Sequence, residues 1–183
     1  MALLSNIAWA WQPTRPVTVI IGFAPGSGNE ISFRKAASIV EQSNPGVRFV
    51  IEHRPGADSV VAHNYFLTQP ADGHTIAVPS HMSQYVTNDI WQRDIKRFEY
   101  NTFVNVVTLG QSPLALVAVP SSAVNTPTEF VTLIRQPGRP VNLAIGGGAH
   151  QMAYEFIMHT QNGSDQVQAI KHSGPAQIGR AHV

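Results

Sequence analysis

Short runs of β-branched residues alternate along this chain with longer stretches whose apolar positions recur every three or four residues. That alternation predicts βαβ units around parallel sheets. Val17-Thr18-Val19-Ile20-Ile21-Gly22-Phe23 is mostly apolar and rich in β-branched residues, and reads as a buried strand. A turn over 24–28 follows, then a helix from Asn29 that carries Ile31, Phe33, Ala36, Ala37, Ile39 and Val40 and stops at Asn44-Pro45-Gly46. Val47 to His53 predicts a second strand, Arg54 to Asp58 a loop, and Ser59 to Gln69 a helix. Pro70-Ala71-Asp72-Gly73 then turns into a strand from His74 to Val78. Residues 80–100 are polar and aromatic without a clear period, which predicts mixed helix and loop. Two further strands are expected at Phe103 to Leu109 and Leu114 to Val119, with no helix between them, so a crossover between two lobes is expected near Gln111. The rhythm restarts with a helix at Thr126 to Arg135, Pro127 suiting its first turn. A strand at Val141 to Ile145, a helix at Gln151 to Gln161 and a strand at Val167 to Ile170 complete the pattern.

Composition narrows what such a chain does. Hydrophobic residues make up 43% and charged residues 13% of the 183, which excludes disorder. Twelve basic and eleven acidic residues, scattered without a run, leave a net charge of +1, and nucleic acid is not an expected partner. There is no cysteine, so disulfides, thiol chemistry and cysteine-based zinc sites are excluded. The first ten residues, MALLSNIAWA, are mostly apolar and end in Ala8-Trp9-Ala10, a small-x-small pattern of the kind signal peptidase cleaves. They predict the remnant of a secretory signal without its basic start.

Two turns carry the candidate chemistry. Phe23, Ala24, Pro25, Gly26, Ser27, Gly28, Asn29 and Glu30 lie between a predicted strand and a helix, where free backbone N–H groups and the positive helix end favour an anion. The run Gly146, Gly147, Gly148, Ala149, His150 and Gln151 repeats that arrangement later in the chain, and two such loops can face each other across a cleft. Ser80 and His81, after the third strand, are further candidates. The first turn is a poor nucleotide motif: Ile31 stands where a dinucleotide fingerprint needs glycine, and no Gly-Lys-Ser/Thr follows. It equally reads as a tight turn with Ser27 or Asn29 capping the helix. None of the eight histidines has metal-site spacing, no nucleophile elbow is present, and the acids Glu30, Asp58 and Glu155 stand singly. Neither a metal, a cofactor nor catalysis is therefore expected. The competing readings are a small α/β enzyme domain holding a phosphorylated ligand at Gly26 to Glu30, and a secreted module that recognises a protein.

Several segments together resemble the Bug family of extracytoplasmic solute receptors, which serve tripartite tricarboxylate transporters. They are Pro13 to Val17; Phe23 to Glu30 with Arg34; Glu52-His53-Arg54-Pro55-Gly56-Ala57; Pro70-Ala71-Asp72-Gly73-His74-Thr75; Gly146 to Glu155; and Lys171 with Ser173 to Ala176. The resemblance runs from Trp11 to about Ala176. Ser27, Glu30, Asp58, Gln151, Ile170 and His172 depart from the family's usual residues. The resemblance implies a type 2 periplasmic binding protein, with a first α/β lobe over 11–110, a partial second lobe over 111–177 and a ligand between them. It also implies a monomer in the periplasm that binds a dicarboxylate, a tricarboxylate, an amino acid or a nicotinate-like carboxylate, and that meets the membrane components of a transporter. Glu30 would repel a second carboxylate or pair with an amino group. The tail over 178–183 fits none of this pattern and matches the translation of a sequencing-library adapter, so a truncated gene is expected, with native sequence ending near Gln177.

Overall fold

The computed structural model describes residues 11–79, 83–111, 113–122, 124–138 and 140–172. Its first sheet is built from β1 (Val17–Ile21), β2 (Phe49–His53) and β3 (Thr75–Val78), all parallel, in the order β2-β1-β3. Val19 pairs with Ile51 on one side and Ile76 on the other. Being central, β1 is closed off on both edges and largely on both faces: Val19, Ile20 and Ile21 are at most 1% exposed, which explains a sequence that is apolar but for the partly buried Thr18.

The connecting helix α1 (Gly28–Ser43) buries Phe33 and Ala37, one turn apart, on Val19, Ile21 and Val78. Phe49 meets Phe33 edge to face at 5.4 Å between ring centroids. The next helix, α2 (Val60–Phe66), is shorter than its apolar pattern predicts. A tight turn over Ala57, Asp58 and Ser59 precedes it, with φ of 45°, 50° and 71°. Three successive non-glycine residues in the left-handed region cost about 1 to 2 kcal/mol each, so the surrounding contacts must hold them. Ser59 Oγ donates to the Gly22 carbonyl (3.2 Å) in a buried contact. A Cβ on Gly22 would stand 2.9 Å from the Ser59 Cα, so only glycine permits this approach.

The second sheet pairs β4 (Val141–Ile145) with β5 (Val167–Lys171), again parallel. Two helices accompany it: α4 (Pro127–Arg135) and α5 (Gly148–Thr160). A reciprocal cap starts α4, in which Thr126 Oγ1 accepts from the Glu129 N–H while the Glu129 carboxylate accepts from the Thr126 N–H. Phe130 and Ile134 of α4, one turn apart, pack with Val167 against Val141, Leu143, Tyr154 and Ile157.

The polar stretch after β3 contains a helix, α3 (Ser83–Trp91), which packs on α5 and so bridges the two sheets. The strands expected at Phe103 to Leu109 and Leu114 to Val119 do not form: neither segment is paired to a sheet among the described residues. Val104 and Val106 are 90% and 88% exposed and Val117 84%. Their β-branched composition favours an extended backbone, but a strand exists only as a paired ladder, and no described segment supplies one. Helix α5 begins at Gly148, three residues before the predicted Gln151, because the glycines themselves enter the first turn.

Candidate functional site

Both sheets direct the carboxyl ends of their strands toward the same space. After β1 come Gly22, Phe23 and Ala24; after β2, Pro55 to Ser59; after β4, Gly146, Gly147 and Gly148; and at the end of β5, Lys171 and His172. With Thr87, Asn88, Trp91 and Gln92 around α3 and Gln151 on α5, these residues enclose a cavity of about 530 Å³. That volume suits a small molecule. In open α/β sheets the crevice beyond the carboxyl ends of parallel strands is the usual place for a ligand.

Of the residues singled out from sequence, Phe23, Ala24, Gly146, Gly147, Gly148 and Gln151 form part of this wall. Pro25, Gly26, Ser27, Gly28, Asn29 and Glu30 lie at the start of α1, outside it, and so do Ala149, which is buried, and His150. Ser80 and His81 fall outside the described residues, as do the presumed signal remnant over 1–10 and the tail over 178–183.

The start of α1 is already satisfied by its own side chains. Ser27 Oγ accepts from the Glu30 N–H at 3.4 Å, and Glu30 Oε2 accepts from the Gly26 N–H at 2.7 Å. The other Glu30 oxygen accepts from Arg34 Nε at 2.7 Å, with His53 Nε2 3.4 Å from Oε2. The Gly26 N–H, followed by the Arg34 guanidinium, holds the Glu30 carboxyl below its ordinary range against the opposing effect of burial. An anion arriving at this turn would meet a buried carboxylate on its donors. The phosphate-binding reading of the turn loses its physical basis there, and so does a pairing of Glu30 with a ligand amino group.

The start of α5 faces the cavity, and it too carries a carboxylate. Asp58, from the left-handed turn before α2, accepts from the Gly148 N–H at 3.1 Å through Oδ2, joining residues 90 apart in sequence. A Cβ on Gly148 would stand 2.9 Å from the Thr87 Cβ, so glycine is needed for helix, threonine and aspartate to meet. Beneath them Asn88 is wholly buried. Its Nδ2 lies 3.5 Å from the Asp58 carbonyl, and its Oδ1 has no hydrogen-bond partner among the described residues. An uncompensated buried amide oxygen is costly, and a donor brought by a ligand would satisfy it.

Sequence reasoning did not assign Asp58, Ser59, Thr87, Asn88, Trp91, Lys171 or His172 to the site. Asp58 had been visible as a departure from a family pattern; the residues of α3 had no periodicity to mark them. Among the described residues, no three His, Asp or Glu side chains gather to hold a metal ion.

Comparison with known proteins agrees with this architecture. The model of the tripartite tricarboxylate transporter family receptor, TctC, matches residues 32–178. Protein BugT of Bordetella pertussis (strain Tohama I) is 25% identical over 169 residues, covering 91% of this chain and 51% of that protein. MatC of Rhodopseudomonas palustris, solved with bound malate, superposes with a TM-score of 0.79 at 20% identity, over 93% of this chain and 57% of that one. A second R. palustris protein, solved with adipate, gives 0.67 at 20% identity, over 92% and 56%. The chain thus spans about half the length of the curated relatives it matches, and its fold is that of solved periplasmic binding proteins.

Proposed function

Because the chain belongs to the tripartite tricarboxylate transporter receptor family, we propose that it captures a small carboxylate between two lobes, over 11–110 and 111–177. It works in the periplasm and passes the ligand to the membrane components of a tripartite transporter, by binding and release and without covalent chemistry. One observation carries the reading: the carboxyl ends of two separate parallel sheets converge on a single cavity of about 530 Å³, walled by both.

The chemistry of the wall supports it. Lys171 and His172 give one side cationic or polar donors, the Gly146 to Gly148 loop brings backbone amides, and Phe23 and Trp91 supply apolar cover. Charge-assisted hydrogen bonds contribute roughly 1.5 to 3 kcal/mol each. Three of them would exceed half of the ~8 kcal/mol that micromolar binding requires. Solved proteins of the same fold hold malate in one case and adipate in another, which supports a carboxylate as the ligand.

The test is calorimetric titration of the purified chain with a panel of C4 to C6 carboxylates, amino acids and monoamides, with assay of the recovered ligand. Saturable one-to-one binding near micromolar, with the ligand returned unchanged, is the expected outcome. If every panel member fails to bind at millimolar concentration, or the ligand is returned chemically altered, the receptor reading fails.

A further inference from the structure

We propose that His53 is a positioning residue of the cavity: it stands behind the wall, fixes Phe23 through a hydrogen bond to its carbonyl, and so raises the affinity for the ligand. The inference rests on the receptor reading and adds the group that holds one of the cavity's walls.

Phe23 follows the carboxyl end of β1, where the chain has left the strand ladder. It packs in part against the core of Ile21 and Phe33, and it lines the cavity as well. A residue past the end of its strand ordinarily samples several poses, and a ligand that needs one of them bears the cost of ordering it. Here the Phe23 carbonyl is tied to the neighbouring strand: His53 Nδ1 lies 2.8 Å from it. His53 is well seated to hold it. Its backbone stands in register opposite Ile21, and the Arg54 N–H that follows donates to the Ile21 carbonyl at 2.8 Å.

The two faces of the imidazole fix its orientation. A carbonyl oxygen only accepts, so the contact with Phe23 requires the proton on Nδ1. At the far side of the ring, Nε2 lies 3.4 Å from Glu30 Oε2. A ring protonated on Nε2 alone would serve that longer contact and set a bare Nδ1 against the carbonyl, so the 2.8 Å contact decides. Glu30 has little freedom to move away, because the Gly26 N–H (2.7 Å) and Arg34 Nε (2.7 Å) hold its carboxylate. The turn after β1 is therefore fastened at two points, Phe23 by His53 and Gly26 by Glu30. Only the first of these points lies in the cavity wall.

Two measurements test the proposal. Long-range proton–nitrogen NMR of the unaltered chain should find His53 protonated on Nδ1, and a bare Nδ1 would overturn it. Calorimetry with succinate, malate and adipate then compares the chain with variants whose folding is checked by urea unfolding. His53→Leu should bind the tightest of these probes about three- to tenfold more weakly, the cost of ordering one side chain. His53→Asn, whose amide nitrogen takes the place of Nδ1, should restore affinity to within about twofold. In a Phe23→Ala background His53→Leu should change affinity by less than about twofold, since the ring it positions is gone. The inference falls, and the receptor reading stands, if His53→Leu binds like the unaltered chain, if His53→Asn is as weak as the leucine variant, or if the loss persists without the Phe23 ring. An unaltered chain that binds none of the three probes nor any other member of the carboxylate panel would remove the receptor reading, and this inference with it.

Discussion

At the level of single residues, the electrostatics of burial matter most. His63, on α2, is 2% exposed and packed between the rings of Phe98 (5.1 Å) and Phe103 (5.6 Å). Loss of solvent lowers its pKa from 6.5 to about 4. The unfolded chain therefore takes up a proton near pH 6.5 that the folded chain refuses until about pH 4. Stability from this group is complete above pH 6.5 and is lost as pH falls toward 4. Between pH 7 and 4.5 the unaltered chain should lose about 2 kcal/mol more than His63→Leu, measured by urea unfolding at each pH. Equal losses in the two proteins would show that His63 does not resist protonation. Glu30 acts at lower pH: its carboxyl is held below 4.5 by the Gly26 N–H and Arg34, so its contribution is present above that pH and fades as it protonates below. The cap role of Ser27 was readable from sequence because capping is local. The Asp58 contact was not, because it joins a strained turn to a helix 90 residues away, and no local pattern encodes such a meeting.

Among elements, those with their own hydrophobic period were legible, and those that depend on a partner were not. The β-branched run of β1 and the one-turn spacings Phe33–Ala37 and Phe130–Ile134 lead directly to the buried faces observed. Helix α3 was expected only within a mixed helix-and-loop stretch without bounds, because its sequence is polar and its place is set by packing on α5. The segments 103–109 and 114–119 show the opposite error, since β-branched residues promise strands that no described ladder completes. They leave Val104, Val106, Val107, Leu116 and Val117 more than half exposed. Surface of that kind associates, so the chain's average mass should rise with concentration in light scattering coupled to size exclusion. Val106→Lys with Val117→Lys should return it to the monomer mass. A constant mass for the unaltered chain would show that these residues do not drive association.

For the molecule as a whole, parallel connectivity explains why the site lies where it does. The turns after β1, β2 and β4 and the end of β5 deliver residues to one cavity even though they are scattered from 22 to 172 in sequence. Both turns singled out from sequence reach the cavity wall, through Phe23 and Ala24 and through Gly146 to Gly148 with Gln151, while the rest of the first turn folds back on Glu30, and Asp58 and α3 supply wall that no local pattern marked. The hydrogen bond from Gly148 to Asp58 also acts as a clasp between the two sides. Its implication is kinetic. With the two walls tied in the empty protein, a ligand enters only during moments when the clasp is open. Observed association rates, followed through the emission of Trp91 in the cavity wall, should level off with rising ligand concentration at the rate of opening. Asp58→Gly should lift that plateau, and rates that instead climb linearly to the highest concentration would mean that the doorway never closes.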